Sequence, residues 1–268
     1  MVMMSARSVP ATAVPKQRKA RRYSGLVMLY FAWLLGGCST APIKVGEPVE
    51  EPIFPADRVL GKGVTYEADK IWDPLEGLNR TFYRFNYHFD RYVFLPAIAA
   101  YQYVTPDPVE KGVHNFFRNL TDVSTLINSI LQLNLEKTMN TTTRLMVNST
   151  VGLLGFIDVA SDVPRRDEDF GQTLGYWGVG NGPYLVLPIL GPSNLRDGIG
   201  YGVDWGIRRE LWRRTTDLET WQEWTRDILW AIDTRAHIGF RYYETGSPFE
   251  YEMIRMLYTT MRQLDIER

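Results

Sequence analysis

The stretch DPLEGLNRTFYRFNYHFDRYVFLP, residues 73–96, indicates the fold class of this chain of 268 residues. Its apolar residues recur three or four positions apart, which is the spacing that places side chains on one face of an α-helix. The residues on this face are Leu75, Leu78, Phe82, Phe85 and Phe89. The spacing predicts an amphipathic helix that ends near Leu95 and Pro96, because proline disfavours helix continuation.

Helical periodicity resumes on the C-terminal side of this stretch. Positions 105–108 contain two prolines and predict a loop. Apolar residues then recur at helical spacing over positions 109–120, 123–133 and 138–151, which predicts three further helices. Alternating runs with β-branched residues are scarce, and Tyr184–Leu187 is the only plausible short strand. The residues therefore predict a mostly α fold.

A second apolar stripe, rich in tryptophan, lies nearer the C-terminus. Its members at helical spacing are Leu218, Trp221, Trp224, Ile228 and Ile232. Two interpretations are open, since such a stripe is either the core face of a helix or a face that lies in a membrane interface, where tryptophan is enriched. On the residues alone we favour the core face. No run of 18 apolar residues follows Cys38, so a transmembrane helix is not expected there.

Residues 1–37 have the pattern of a bacterial lipoprotein signal peptide. A basic segment precedes an apolar run at positions 25–35, and Gly36 and Gly37 come directly before Cys38, the only cysteine. Several acyl chains on such a cysteine make a stable membrane anchor. We therefore predict lipidation of Cys38; the alternatives are an ordinary signal peptide with an incidental cysteine and a buried thiol in a core helix. By resemblance to lipoproteins of this class, Ser39 indicates the periplasmic side of the outer membrane.

Residues 38–70 have the composition of a flexible, disordered tether, with prolines among acidic residues and no apolar periodicity. A flexible chain of this length spans roughly 30 Å on average. Removal of residues 1–37 takes away six basic and no acidic residues, so the formal net charge changes from −1 to −7. An acidic mature chain argues against nucleic acid as a partner.

Signals for catalysis or metal binding are weak. His88, His114 and His237 lie in separate segments and form no ligand motif, so neither a metal site nor a catalytic triad is expected. Acidic residues do cluster around one loop, at Asp158, Asp162, Asp167, Glu168 and Asp169. Such a cluster is usually a solvated loop with ion pairs, but two carboxylates suffice for hydrolysis of a glycoside. A lipid-anchored periplasmic hydrolase that uses the cluster near Asp167 is therefore the alternative function.

Several runs taken together resemble the MlaA (VacJ) family of outer-membrane phospholipid-transport lipoproteins. The matching runs are positions 73–80 with 82–86 behind them, 155–160, 170–184 and 187–197. They extend over about half of the chain, from Ile71 to Trp205, whereas the part from position 206 onward matches no family motif. The resemblance implies that residues 71–268 form the folded domain.

The resemblance also implies an architecture and a function. The architecture is a compact, ring-like helical bundle in the inner leaflet of the outer membrane, with a central amphipathic channel. Phospholipid that has strayed into the outer leaflet would pass through the channel to a periplasmic carrier of the MlaC type, and trimeric porins would be the membrane partners. This is a transport role that maintains lipid asymmetry, with no enzyme activity, catalytic residue, metal or cofactor expected.

A passage for phospholipid needs a polar lining for the headgroup and apolar surroundings for the tails. Asparagines among apolar neighbours fit the first need, and they are Asn86, Asn128, Asn134, Asn148 and Asn181. We expect channel-wall or gating roles for Phe85, Asn86, Gly152, Gly155, Phe156, Gly178, Gly180 and Gly182. Structural roles are expected for Asp73, Pro74, Asn79, Arg80, Asp158, Arg196 and Asp197, the last two as a pair that caps a helix. The alternative is that these glycines and asparagines only shape turns and caps.

Overall fold

A computed structural model describes residues 70–268 of the chain. The predicted signal peptide, Cys38 and all but the last residue of the predicted tether lie outside the described residues. Helices dominate the described part, and the regular β-structure in it is one antiparallel hairpin. The prediction of a mostly α fold is therefore confirmed.

The elements follow one another in a simple order. The helices are α1 (Glu76–Phe89), α2 (Leu95–Val104), α3 (Asp107–Leu131), α4 (Leu135–Thr150), α5 (Phe170–Tyr176), α6 (Leu195–Thr215), α7 (Thr220–Ala236) and α8 (Glu250–Glu267). A π-helical turn, Asp90–Phe94, joins α1 to α2. Between α5 and α6, strand β1 (Tyr184–Leu187) pairs with β2 (Gly191–Asn194), with Tyr184 opposite Asn194.

Two predicted helix boundaries are wrong. The first helix does not end at Pro96, because the chain passes through the π-helical turn into α2 and Pro96 lies in the first turn of α2. Proline is tolerated there since the first turn does not need its N–H. The break predicted near position 121 is also absent, and α3 runs through it. Asp122 lies inside this helix, where its carboxylate pairs with Arg165 at 3.0 Å.

The sequence predicted one of the two strands of the hairpin. Strand β1 lies where the sequence places it, but β2 was missed because the residues Gly-Pro-Ser-Asn have low β-propensity. The loop between the strands holds Ile189 at a φ of 69°, in the left-handed region.

Side-chain caps start three of the helices. Asn134, Asp169 and Asn194 each accept a hydrogen bond from a backbone N–H in the first turn of α4, α5 and α6. Such a cap contributes about 1 kcal/mol. The sequence analysis had assigned the start of α6 to the pair Arg196 and Asp197; the cap is instead Asn194, which accepts from the Asp197 N–H at 2.8 Å.

A small apolar core joins α1, the hairpin and α8. Its buried members are Tyr83, Tyr184, Val186, Tyr251 and Ile254, which we call the apolar core cluster. The Tyr83 and Tyr251 rings meet edge to face with centroids 5.9 Å apart. This cluster obeys the usual rule that apolar side chains face inward.

Candidate functional site

Helix α1 exposes apolar residues and buries polar ones. Leu78 and Phe85, both on the stripe identified in the sequence, are 48% and 45% exposed. The buried side chains of α1 include Asn79 and Asn86, which are at most 3% exposed. Two asparagines are thus buried beside Tyr83 and Tyr87 while apolar residues are exposed, which in part reverses the usual arrangement of a water-soluble protein.

Helices α3 and α4 are arranged in the same way. The buried polar residues of α3 are Asn119, Asp122, Ser124, Thr125, Asn128 and Ser129, and those of α4 are Lys137, Thr141, Arg144 and Asn148. Leu135, Met139 and Met146 of α4 are all exposed. We call α1, α3 and α4 the inverted helices.

Arg144 is the centre of one buried polar network. Its guanidinium donates to both oxygens of Asp158, at 2.9 and 3.0 Å, and to the carbonyls of Ala160 and Val163. Asn148 also donates to Asp158 and accepts from the Ala160 N–H. Burial alone would raise the pKa of Asp158, but these hydrogen bonds and the charge of Arg144 outweigh it and lower the pKa. The network ties the loop after α4 to that helix.

A second network lies where α3 and α4 meet the segment before α5. Glu168 pairs with Lys137 at 2.7 Å and accepts from Gln132 at 2.8 Å. Asp122 pairs with Arg165 across the same region. Burial raises the pKa of Asp122 to about 6, although Arg165 opposes this shift. Buried charges of this kind are tolerated because each has a partner.

Arg262 of α8 joins the N-terminal ends of α5 and α6. It donates to both oxygens of Asp169, at 2.8 and 2.9 Å, and to Asp197 at 2.8 Å. Burial would raise the pKa of both carboxyls, but the hydrogen bonds and charge of Arg262 lower them. Arg196 also pairs with Asp197, at 3.0 Å. The expected structural pair thus belongs to a larger cluster.

The acidic loop does not have the arrangement of a hydrolytic site. Asp158 pairs with Arg144, Asp167 with Arg165, Glu168 with Lys137, and Asp169 with Arg262. Each of these four carboxylates is therefore neutralised by a different cation. Such pairing is typical of structural ion pairs, and nothing in it favours general acid or base catalysis.

The motif before α1 connects that helix to α8. Asp73 accepts hydrogen bonds from Asn79 at 2.7 Å, Tyr251 at 2.6 Å and Arg255 at 3.0 Å. Pro74, which follows it, is exposed. The partners on α8 lie in the C-terminal part that matched no family motif, so the sequence analysis missed them.

Arg80 makes a further link between the same two helices. Its guanidinium lies 4.2 Å from the centre of the Tyr251 ring and pairs with Glu76 and Glu252. Arginine over an aromatic face adds a cation–π attraction to the ion pairs.

Two asparagines of α1 bind backbone groups of strand β1 and of the loop after it. Asn79 donates to the Tyr184 carbonyl at 3.0 Å and accepts from the Val186 N–H at 2.9 Å. Asn86, two helical turns later, donates to the Leu187 carbonyl at 2.9 Å and accepts from the Ile189 N–H at 2.6 Å. Side chains thus satisfy backbone groups that a third strand would otherwise pair. Phe85, the neighbour of Asn86, stacks on Phe89 at 5.9 Å.

Residues 151–159, which we call the apolar loop, contain Gly152, Gly155 and Phe156. A Cβ at Gly152 would lie 2.2 Å from the Ile157 carbonyl oxygen, and one at Gly155 would lie 2.4 Å from Asn119. Neither position accepts a side chain without a shift of its neighbours. Phe156 packs against Phe116 with ring centroids 5.1 Å apart.

The tip of the apolar loop is both strained and exposed. Leu153 and Leu154 have φ angles of 53° and 59°, which L residues with bulky side chains rarely adopt. They are 65% and 64% exposed, and Val151 and Ile157 beside them are exposed as well. Strained backbone that carries exposed apolar side chains is typical of a functional segment.

The glycines after α5 form a turn. Gly178 and Gly182 have φ angles of 87° and 67°, while Gly180 does not adopt a positive φ. A Cβ would meet nothing within 4 Å at Gly178 or Gly180. The Asn181 carbonyl accepts from the Arg196 N–H at 3.2 Å, which holds the turn against α6.

The favoured interpretation of the tryptophan-rich stripe is wrong. Trp221 and Trp224 of α7 are 61% and 65% exposed, and Ile228 is exposed too. Helix α7 instead packs against α2 and α3 through its other side, where Trp230 stacks on Phe117 at 5.4 Å. The stripe is therefore exposed, like the outward-facing apolar residues of the inverted helices.

The prediction that the histidines lie apart is also wrong in part. His114 of α3 and His237 at the end of α7 stack with ring centroids 3.5 Å apart, beside Asp233. His88 lies elsewhere and stacks on Tyr92 at 6.1 Å.

None of the helices described between residues 70 and 268 combines the length and the apolarity that crossing a bilayer requires. The fold and the site thus define a mostly α-helical protein with polar networks inside and apolar side chains outside. The chain belongs to the MlaA lipoprotein family, whose profile matches residues 71–265. The resemblance drawn from the sequence is confirmed.

Two named relatives share this family. The chain is 38% identical over 176 residues to the intermembrane phospholipid transport system lipoprotein MlaA of Escherichia coli, a match that covers 62% of this chain and 66% of the relative. It is 36% identical over 154 residues to the protein of the same name from Haemophilus influenzae, with 56% and 62% covered.

A third relative and a solved structure extend the comparison. An uncharacterised protein of Rickettsia prowazekii is 41% identical over 130 residues, or 48% of this chain, and the chain spans about half of that relative's length, 52%. A solved structure that concerns the structural basis for maintenance of bacterial outer membrane lipid asymmetry matches with a TM-score of 0.58 and 30% identity. The match covers 72% of this chain and 98% of that one.

Proposed function

We propose that this chain is a lipid-anchored protein on the periplasmic side of the outer membrane. It removes mislocalised phospholipid from the outer leaflet through an internal channel and passes it to a periplasmic carrier, with no enzyme activity of its own. Family membership supports the proposal, as do the names of the relatives from Escherichia coli and Haemophilus influenzae.

The observation that carries the proposal is the reversed polarity of the inverted helices. In water, so many exposed apolar residues would be unfavourable, and large exposed apolar surfaces mark membrane or protein contacts. In a bilayer the same residues contact acyl chains, while polar groups have to find partners within the protein. The networks of Arg144, Asp122 and Glu168 supply such partners.

The route of the lipid belongs to the proposal as well. We assign gating to the apolar loop with Gly152, Gly155 and Phe156, and to the turn with Gly178, Gly180 and Gly182. Exposed leucines at the tip of the loop suit acyl chains. Asn86 acts by holding α1 on the hairpin, since its hydrogen-bonding groups are engaged there, whereas the exposed Phe85 stacks on Phe89 of its own helix.

The partners follow from the same proposal. A trimeric porin in the membrane and a periplasmic carrier of the MlaC type would complete the transport route. Cys38 would carry the acyl chains, and residues 38–70 would link them to the folded domain.

The test is outer-leaflet phospholipid in a strain that lacks the gene. Intact cells would be treated with an added phospholipase, and the products would be measured after complementation with the wild type, Cys38→Ala or Leu154→Asp. We expect the wild type to restore a phospholipid-poor surface. Cys38→Ala should fail because the anchor is lost, and Leu154→Asp should restore less because a charge at the loop tip disfavours contact with acyl chains. An unchanged surface in the deletion strain would reject the proposal.

Asp167→Asn serves as the matched control and also tests the hydrolase alternative. The Asp167 side chain is 64% exposed and pairs only with Arg165 among the described ion pairs, so its loss should leave transport intact. Product release from phospholipid or peptidoglycan by the purified wild type, abolished by Asp167→Asn, would favour a hydrolase.

A further inference from the structure

We propose that His114, Asp233 and His237 bind a divalent transition-metal ion, best matched by Zn²⁺, which fastens the end of α7 to α3. The inference rests on the geometry of this cluster and is independent of the proposed transport function. None of the three residues lies in the segments that resemble the family motifs.

The three side chains present their ligand atoms to one small volume. His114 Nδ1 lies 3.0 Å from one carboxylate oxygen of Asp233, and His237 Nδ1 lies 3.7 Å from the other. The candidate ligand atoms all lie within 4.8 Å of one another. Two donors of a tetrahedral Zn²⁺ site with bonds of about 2.0–2.1 Å are roughly 3.3 Å apart. His237 Nδ1 also lies 2.9 Å from the Asp233 backbone carbonyl, and the two imidazole rings are stacked, so both rings have to rotate before their nitrogens point at one ion.

Asp233 supplies a second, independent observation. Its side chain is 2% exposed, and one of its oxygens, Oδ1, has no hydrogen-bond partner. In the part of the chain from residue 70 onward, its ion-pair partners are His114 and His237, with no lysine or arginine among them. A buried carboxylate requires a cation or several hydrogen bonds to offset its lost hydration. A metal ion would meet this need.

The surroundings of the cluster are negative. Burial, together with the charges of Asp233 and Glu110, raises the pKa of Tyr101 to about 12. The Tyr101 hydroxyl is buried and has no hydrogen-bond partner. Nearby on the same side, Glu110 accepts from Gln102 at 3.0 Å. Negative groups around two imidazoles favour the entry of a cation.

The ligand types select the class of ion. Two imidazole nitrogens and one carboxylate are a common ligand set for Zn²⁺ and other transition metals, whereas Mg²⁺ and Ca²⁺ prefer oxygen ligands alone. Three protein ligands leave a coordination position for water. The His237 side chain is 36% exposed, so an ion has a path from the solvent.

The site would matter for the attachment of α7. This helix exposes Trp221 and Trp224, while its other side packs against α2 and α3, and Arg235 in its last turn pairs with Asp90. His114 comes from α3, while Asp233 and His237 come from the last turn and the C-terminal cap of α7. An ion bound by all three would connect two segments that are 119 residues apart at the His114–Asp233 contact.

The experiment uses the full-length protein, purified in detergent and freed of metal with a chelator. Titration with Zn²⁺ alone, followed by calorimetry, should show one equivalent bound per chain and a rise in the melting temperature. Substitution of Co²⁺ should give the visible absorption of a tetrahedral site. His237→Gln should weaken Zn²⁺ binding by at least about 10-fold, the smallest effect typical of disturbing a metal site.

His88→Gln is the matched control, because His88 is a histidine outside the cluster and should bind like the wild type. Circular dichroism would verify folding, and the half-exposed His237 is the variant least prone to misfold if His114→Gln or Asp233→Asn does so. A folded wild type that binds no Zn²⁺ would overturn the proposal. So would a His237→Gln variant that binds Zn²⁺ as tightly as the wild type.

Discussion

The interior contacts around Arg144 differ in kind from those of the apolar core cluster. Around Arg144, α4 is held by ion pairs and hydrogen bonds, and its apolar residues face outward. Between α1, the hairpin and α8, tyrosine and aliphatic side chains form the apolar core cluster, and buried polar residues such as Asn79 and Arg255 lie beside it. The comparison teaches that one chain uses two means of stabilisation: mainly polar contacts around Arg144, and an apolar cluster bordered by polar contacts between α1, the hairpin and α8.

Loss of a polar partner in the Arg144 network should lower the free energy of unfolding most. Arg144→Met removes the cation from a site where Asp158 and the carbonyls of Ala160 and Val163 depend on it. Breaking a buried pair on one side typically costs about 3–5 kcal/mol. Urea unfolding in detergent would measure this change in the free energy of unfolding.

Arg213→Met is the control for that substitution. The Arg213 side chain is exposed and, among the described residues, pairs with Glu210 of its own helix, so no measurable change in stability is expected. Equal effects of the two substitutions would show that the Arg144 network does not stabilise the fold.

Truncation of a side chain in the apolar core cluster should cause the second-largest loss of stability. Ile254→Ala removes buried apolar surface and leaves a cavity, which typically costs about 2–5 kcal/mol. Leu264→Ala on the same helix is the control, because Leu264 is exposed and its loss should change stability by less than about 0.5 kcal/mol. If both variants unfold at the same urea concentration, the cluster is not a core.

Asp122 should make the stability of the folded protein depend measurably on pH. Its folded pKa, about 6, lies above the ordinary value of 3.8 because of burial. Between about pH 4 and pH 6 the folded protein therefore keeps a proton that the unfolded chain has released, so stability falls as the pH rises through this window. The expected loss is of order 3 kcal/mol, from a shift of about two pKa units at about 1.4 kcal/mol per unit.

Comparison with Asp122→Asn isolates this contribution, since the variant cannot titrate at that position. The difference in unfolding free energy between the two proteins should change from about pH 4 to pH 6 and then stay level. A difference that does not vary with pH would contradict the assigned shift.

A substitution in the strained apolar loop should change the free energy of unfolding least, and it should stabilise the protein instead of destabilising it. Leu153→Gly relieves a left-handed backbone that costs an L residue about 1–2 kcal/mol, while glycine loses more chain entropy on folding. A net gain of about 0.5–1 kcal/mol is expected from thermal or urea unfolding. Met146→Gly, at an equally exposed helical position, should instead lose about 1 kcal/mol. Destabilisation by both would show that Leu153 is not strained.

Much of the local structure was predictable from the sequence. The spacing of apolar residues located α1, and β-branched and aromatic residues located β1. Strand β2 was not predictable, because Gly191 and Pro192 are poor strand formers and the strand exists only by pairing with β1. The continuous helix α3 was missed since a polar pair, Thr121 and Asp122, looked like a boundary.

The site was less predictable for a physical reason. Periodicity shows which residues share a helix face, but not whether that face points inward, and Trp221 and Trp224 were assigned to the core for this reason. Long-range contacts leave no local signal either. His114 and Asp233 meet across 119 residues, and Asp73 meets Arg255 across 182.

The central claim, that the exposed apolar residues of the inverted helices contact lipid, is tested most directly by spin-label accessibility. Single cysteines would replace Met146 on α4 and Arg213 on α6, with labelled wild type as the blank for Cys38, in protein reconstituted into phospholipid vesicles. The account predicts that the label at position 146 collides readily with oxygen and poorly with a water-soluble nickel complex, while the label at position 213 does the reverse. Equal access of the nickel complex to both labels would contradict it.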